Sequence, residues 1–436
     1  MPDGSDQICH KMKKDRLVAY GRSVGTYFAA SLIPMLLMAL VNPLIALNMS
    51  PEDYAVYGYY NSFTALITPV IVFYMLHYYT KLYYEVSEAE RLQLRAMLFK
   101  ALIFFSFAVS VLCLVMLAAY IRIFNSDSEF PTFPYLALMV FAVPLSGIYK
   151  LEQTEYRMSR NSGGFFRLTV AAGVILTVTN LVFVVIAKWG AAGKLLAPLV
   201  ANLLVFIYLV VRHRRLFAVR CSFSDFRKVL TFCLPLAAGA ALGYFFNGYD
   251  RTYLEGVGDV TEYGYYIVGA QIAGYLTVLS TAVTSTFQPD IYEAIAKNDR
   301  RALWRSCIMQ IGLIAVTVAV FIIFCPLIIK LLTAGRYVDS TIYARIVSVS
   351  VVTSAIYYVI NNYTIAKGYP RIYLYTTLIG SAATVAAYPP VVGQFGFVGG
   401  AVMVGMSFVM LAAVNLAFLA IASFVRRHGR TGRHDK

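Results

Sequence analysis

The chain has 436 residues, of which 59% are hydrophobic and only 14% charged, with a mean hydropathy of +0.68. A soluble globular protein is nearer half apolar and a quarter charged. Charge-free runs long enough to cross roughly 30 Å of hydrocarbon recur from end to end, which excludes a soluble enzyme, a disordered chain and a single-anchor receptor and describes an all-α polytopic membrane protein.

The N-terminal tail, residues 1–19, is polar and basic and leads into an apolar run much longer than a signal h-region. About twelve spans follow, roughly 20–48, 57–84, 93–122, 132–154, 163–188, 192–211, 229–254, 262–289, 303–332, 340–365, 371–393 and 397–425. Lys+Arg is 37 against 22 Asp+Glu, and most of that excess lies in short connectors. There it records membrane orientation rather than contact with nucleic acid. With the N-terminus inside, about 30 basic residues fall on cytoplasmic segments, leaving outside only Arg122, Lys188, Lys194, Arg251, Lys330, Arg336 and Arg345. Both termini are therefore expected in the cytoplasm. The six cysteines show no metal-ligand or redox spacing, and four of them lie in apolar runs as small buried hydrophobes.

In the second span, Tyr54, Tyr57, Tyr59 and Tyr60 cluster at one end and Tyr78, Tyr79, Tyr83 and Tyr84 at the other. The 21 residues from Tyr57 to Tyr78 make about 32 Å of helix at ~1.5 Å per residue, the spacing of two interfacial aromatic belts. The longest connector, 212–228, carries five arginines and Lys228 and falls almost at mid-chain. The flanking halves repeat at one offset. Tyr57-Gly58-Tyr59-Tyr60 and Tyr263-Gly264-Tyr265-Tyr266 are 206 residues apart, as are Gly190-Ala-Ala-Gly193 and Gly396-Phe-Val-Gly399, and the turns at Arg160–Gly163 and Ala366–Tyr369. Three coincidences at one offset indicate duplication. Six spans per copy keep the same orientation, so two pseudo-symmetric six-helix lobes are expected around a central cavity, the arrangement of alternating-access transporters. The predicted division is an N-lobe at 20–211, a cytoplasmic basic linker at 212–228, a C-lobe at 229–425 and a basic tail at 426–436.

Polar groups inside spans are costly and face a cavity or a partner. Asp250-Arg251 lies about one turn from the outer end of the seventh span, Arg345 about one turn inside the tenth, and Lys100 and Arg167 a turn or so inside the third and fifth. Asp250 and Arg251 are about 100° apart on a continuous helix, and share a face only if the helix unwinds. Asn42-Pro43 and Pro34 interrupt the first span and Pro235 the seventh.

Leu234-Pro235-Leu236, Asp250-Arg251 and Glu262-Tyr263-Gly264-Tyr265-Tyr266, echoed by Ser50-Pro51-Glu52-Asp53-Tyr54 in the first half, resemble the hallmark of the polysaccharide flippases. These belong to the superfamily that also holds lipid II flippases and multidrug and toxin extrusion antiporters. The resemblance covers nearly the whole chain. It implies transfer of a polyprenyl-pyrophosphate-linked oligosaccharide across the bacterial inner membrane for O-antigen, capsule or other surface polysaccharide, alongside other assembly proteins. Basic residues would satisfy the diphosphate, with Arg251, Arg345 and Arg167 as candidates, and Gln271, Asn42 and Tyr249 as candidates for the sugar. Many drug-exporting relatives carry an acid in the first span, where this chain has Asn42, which cannot titrate. Ion coupling is then left to Asp250, or to Glu152 and Glu155 at the cytoplasmic end of the fourth span.

The rival within the superfamily is a multidrug or cation antiporter. The rival of another class is a membrane glycan polymerase or transferase, which commonly needs a large outer loop or a dense set of His and carboxylates. The outer connectors here are short, and only His77 of the five histidines lies within a span, alone among aromatics. No metal cluster, triad or phosphate loop can be assembled, and neither an enzyme nor a cofactor is expected.

Overall fold

The computed structural model describes residues 4–124, 130–297, 299–366 and 369–431, and among them every regular element is helical. The first half holds α1 (Gly4–Asn48), α2 (Pro51–Ser62), α3 (Thr64–Ile71), α4 (Met75–Leu82), α5 (Glu88–Phe124), α6 (Tyr135–Met158), α7 (Ser162–Asn180) with a π-helical extension to Ile186, and α8 (Gly190–Arg212). The second half holds α9 (Phe223–Ala241), α10 (Tyr244–Asn247), α11 (Tyr249–Leu254), α12 (Val260–Ala296), α13 (Arg300–Leu332), α14 (Thr341–Ala366) and α15 (Pro370–Thr431).

Ten helices among the described residues are long and apolar enough to cross a membrane, and the pair Pro51–Ile71 and Met75–Leu82, bent by 48°, adds an eleventh. The stretch Ile372–Ile421 has 50 residues, about 75 Å of helix at ~1.5 Å per residue, more than twice a hydrocarbon core. It turns at Gly396, whose φ of 56° and ψ of −138° are not helical. The last two predicted crossings are therefore its two arms, and twelve crossings place both termini at one end of the bundle, here called the basic end.

Two pairs of repeat-related glycines have related tasks in the two halves. Gly190 and Gly396, 206 apart, both take positive φ, 49° and 56°, which a side chain disfavours. Gly58 and Gly264 both lie where α2 and α12 cross. A Cβ on Gly58 would meet the Ile267 side chain at 2.4 Å, and one on Gly264 would meet the Pro51 carbonyl at 2.1 Å. Lipid tails are as apolar as leucine, so helices in a bilayer associate through close packing at small residues and through polar contacts. The Tyr-Gly-Tyr-Tyr repeat is thus the seam that joins the halves. The third repeat pair reaches Lys367-Gly368, which lies outside the described residues.

Burial corrects the reading of the tyrosines as belts. Tyr54, Tyr59, Tyr60 and Tyr79 are at most 1% exposed, and only Tyr84, at 70%, is open. The second span is the hub of the bundle: its pieces pack on α12, α8, α9 and α6, so most of its tyrosines are enclosed by protein. Tyr59 stands edge-on to Tyr60, Phe63 and Phe130. Nor is this span one straight rod. Phe73 and Tyr74 take φ of 52° and 53°, two consecutive non-glycine residues in the left-handed region, where strain is held only by a surrounding structure that needs it.

At the far end the halves are clasped. Arg336 Nη1 donates to the carbonyls of Ala46 and Leu47 at 3.2 and 2.7 Å, capping the C-terminus of α1 from the opposite half, where a cation is favoured by the helix dipole. Tyr337 Oη donates to the Met49 carbonyl at 2.7 Å. Asn42 Nδ2 donates to the Leu332 carbonyl at 2.8 Å. At the basic end the cross-half contacts are looser: Lys81 lies 4.6 Å over the Phe232 ring, and Cys233 Sγ approaches the Tyr74 carbonyl at 3.6 Å.

Candidate functional site

The broken helices of the second and seventh spans each border a recess. Helix breaks at membrane depth free backbone groups and are tolerated where they line a cavity or are packed in protein. The recess of the second half, about 580 Å³, is walled by Asn247, Asp250 and Arg251 of the broken seventh span and by α12, α14 and α15. On α12 the lining residues Thr277, Ser280, Thr281 and Thr284 stand three and four apart and so share one face. Ser350, Ser354 and Tyr358 of α14 line the same recess. The result is a wall of hydroxyls, each a donor and an acceptor.

The recess of the first half, about 420 Å³, is lined by Thr64, Thr68, Tyr74, His77 and Lys150. Tyr358 of the hydroxyl wall and Tyr74 lie near each other across the junction of the halves, and the space between the two recesses is here called the cleft. The bend at Phe73-Tyr74 presents Tyr74 and His77 to it, with His77 stacked on Tyr74 at 4.3 Å. His77, the one histidine expected within a span, is exposed and lines this recess.

The seventh span breaks ahead of its acid–base pair, but Asp250 and Arg251 themselves lie in one helical piece, α11, and come together without the unwinding expected between them. It breaks after Ala241 and again at Gly248, and Asp250 Oδ2 comes within 3.9 Å of Arg251 Nε. The repeat tyrosines hold the pair: Tyr266 Oη donates to Asp250 Oδ2 at 2.5 Å and Tyr263 Oη to the Arg251 carbonyl at 2.7 Å. Arg251 Nε has no hydrogen-bond partner among the described residues.

The other candidates are dispersed. Asn42 and Gln271 meet each other, 3.3 Å between Gln271 Nε2 and Asn42 Oδ1, as part of the junction between halves. Tyr249 packs on Tyr388 at 5.0 Å, beside Tyr244 and Tyr253. Arg345 is exposed, donates from Nε to the Ile322 carbonyl at 3.1 Å, and borders a far-end groove with Asp259, Glu262 and Asp339. Arg167 is exposed and reaches back to the Gly163 carbonyl at 3.4 Å. Neither shares the recess of Arg251. Lys100 donates to the Val219 carbonyl at 2.7 Å and so ties the linker to α5.

Glu152 and Glu155 stand in an interlocked cluster. Arg95 reaches Glu152 at 2.5 Å and Glu155 at 3.9 Å, and His213 Nε2 lies 3.2 Å from Glu152. Tyr79 and Tyr83 both donate to Glu155. Of the three carboxylates considered for ion coupling, Asp250 alone borders a recess. Among the described residues no group of three or more His, Cys, Asp or Glu is placed to hold a metal.

Lys150 was not singled out by sequence. The fourth span was predicted to end at residue 154, four residues beyond it. The helix runs on to Met158, which sets Lys150 more than two turns inside. Its spacing from Leu151 and Gly147 carried no signal of which face it occupies.

Residues 44–342 match the family described as "Polysaccharide biosynthesis protein". No curated protein matches the chain significantly. Among solved structures, a multidrug resistance MATE family transporter of the MOP superfamily in an inward-facing conformation is similar at a TM-score of 0.71 and 13% identity, over 92% of this chain and 99% of that one. The lipid II flippase MurJ, inward closed, is similar at 0.69 and 14%, over 90% and 87%. A MOP superfamily transporter from Pyrococcus furiosus is similar at 0.57 and 14%, over 92% and 96%. The identities are low, so these likenesses establish the fold alone, a multi-pass helical bundle like those of the named structures. With its family match extending over more than half of its length, the chain belongs to the polysaccharide biosynthesis protein family.

Proposed function

We propose that the protein is a flippase that moves a polyprenyl-pyrophosphate-linked oligosaccharide from the inner to the outer leaflet of the bacterial cytoplasmic membrane, for surface polysaccharide such as O-antigen or capsule. The observation that carries this reading is the pair of recesses beside the broken helices: one presents hydroxyls on α12 and α14 with the Asp250–Arg251 pair, the other Lys150 and His77 among apolar side chains. A glycan headgroup needs many hydrogen-bond partners and a diphosphate needs cations, and neither finds them in hydrocarbon. The lipid tail stays in the bilayer while the headgroup passes between the halves. Family membership supports polysaccharide chemistry, and the MOP-type fold supports alternating access rather than a covalent reaction. The predominance of basic residues at the end bearing both termini supports a cytoplasmic placement for that end.

The MATE likeness favours one second reading, export of a multidrug or cationic substrate. Deletion of the gene separates the two. The flippase reading expects lipid-linked oligosaccharide stranded on the cytoplasmic face and loss of surface glycan. Unchanged surface glycan with raised sensitivity to cationic dyes would establish the antiporter.

A further inference from the structure

The two walls of the cleft differ in charge. On the second-half wall Arg251 already faces Asp250 at 3.9 Å, so that wall is formally neutral. On the first-half wall Lys150 is half-buried, two turns from the end of α6, and among the described residues no carboxylate stands within ion-pair distance of it. The nearest acids in sequence, Glu152 and Glu155, are turned toward Arg95; on a helix they lie about 160° and 140° around from Lys150. No hydrogen bond to its ammonium is present among the described residues either. A cation inside a membrane protein that lacks a partner marks a place where an anion is received.

We infer that Lys150, with His77 beside it, is the anion anchor of this transporter and takes the phosphate of the lipid-linked substrate, while the sugar lies against the hydroxyl face of α12. The inference rests on the proposed function and adds a polarity to it: phosphate on the first-half wall, glycan on the second. Arg251 is then a positioning residue, holding Asp250 and the broken seventh span rather than meeting the phosphate first. Lysine suits this role as a compact point charge that follows a moving phosphate, without the fixed fork by which arginine locks one geometry.

The test is binding to the purified full-length protein in nanodiscs, with a polyprenyl pyrophosphate as probe and the uncharged polyprenol as reference. Wild type is expected to prefer the pyrophosphate. Lys150→Gln is expected to weaken that binding about ten- to a hundredfold, the range for one charged hydrogen bond, and to leave polyprenol binding unchanged. Lys150→Arg is expected to restore most of it, which shows that the charge and not the fold was lost. Lys228→Ala, exposed and paired with Asp225 at 2.9 Å, serves as the control charge deletion. Wild type that prefers the pyrophosphate, with Lys150→Gln binding it equally well, overturns the Lys150 assignment and leaves the flippase reading standing. Wild type with no preference for the pyrophosphate overturns both.

Discussion

Asp250 and Arg251 show how one adjacent pair is made to work together. They follow one another in α11, about 100° apart around the helix, yet Arg251 Nε comes within 3.9 Å of Asp250 Oδ2, and Tyr266 fixes the acid. Removing one member of a buried ion pair leaves the other uncompensated and destabilises by about 3–5 kcal/mol. Asp250→Asn is therefore expected to lower the melting temperature of the purified protein markedly, and Asp250→Asn with Arg251→Gln to lower it less than either single change. A thermal melt in detergent measures this, and additive losses in the double variant would show that the pair is not coupled. In transport, Arg251→Ala is expected to reduce export sharply and Arg251→Lys to keep part of it, with export normalised to inserted protein. Arg345, exposed on the Ile322 carbonyl, is expected to tolerate alanine in the same assay.

Among the elements, the crossing of α2 and α12 and the clasp on α1 decide how the halves meet. A Cβ at Gly264 would stand 2.1 Å from the Pro51 carbonyl, backbone that cannot swing aside, whereas one at Gly274 meets nothing within 4 Å. Gly264→Ala is thus expected to cut the yield of folded protein severalfold and Gly274→Ala to leave it unchanged, read by fluorescence-detected gel filtration. The far-end clasp is a different kind of contact, made of Arg336 and Tyr337 against the last carbonyls of the α1 segment. Interhelical hydrogen bonds in membranes contribute only about 0.6 kcal/mol on average, so the clasp is weak enough to open in a transport cycle. Arg336→Ala combined with Tyr337→Phe is expected to raise thiol labelling of a cysteine placed at Asn42 from the far side, without loss of folded protein. Labelling that stays at the level of the clasped protein would show that these bonds do not hold that end shut.

At the scale of the whole molecule, the charge distribution and the duplication bear on orientation. Twelve crossings return the C-terminus to the side of the N-terminus, and the predominance of Lys and Arg there leads us to propose that this side faces the cytoplasm. A phosphatase reporter, active only outside the cytoplasm, is expected to be silent when fused after Lys436 and active when inserted beside Lys188. The reverse pattern would invert the direction of transport proposed for the cleft. The same geometry separates the tasks of the two ends: the far end is closed by hydrogen bonds between halves, and the basic end by ring and sulfur contacts around Phe232 and Cys233.

Hydropathy, charge and the 206-residue repeat were enough to read a helical, duplicated, twelve-crossing bundle, because the bilayer imposes lengths and charge asymmetries that any window of sequence displays. The repeat also pointed to the glycines of the seam, since a position that admits no side chain must remain glycine in each copy. Which way a polar residue faces was beyond it. The tyrosines of the second span were legible as two clusters, but their burial depends on that span being surrounded, a property of the packing alone. Asn42 and Gln271, 229 residues apart, meet only once the halves are assembled. Lys150 was hidden for a related reason: sequence records how near a lysine stands to the end of an apolar run, and only the tertiary structure decides whether a cavity, a carboxylate or the bilayer surface receives its charge.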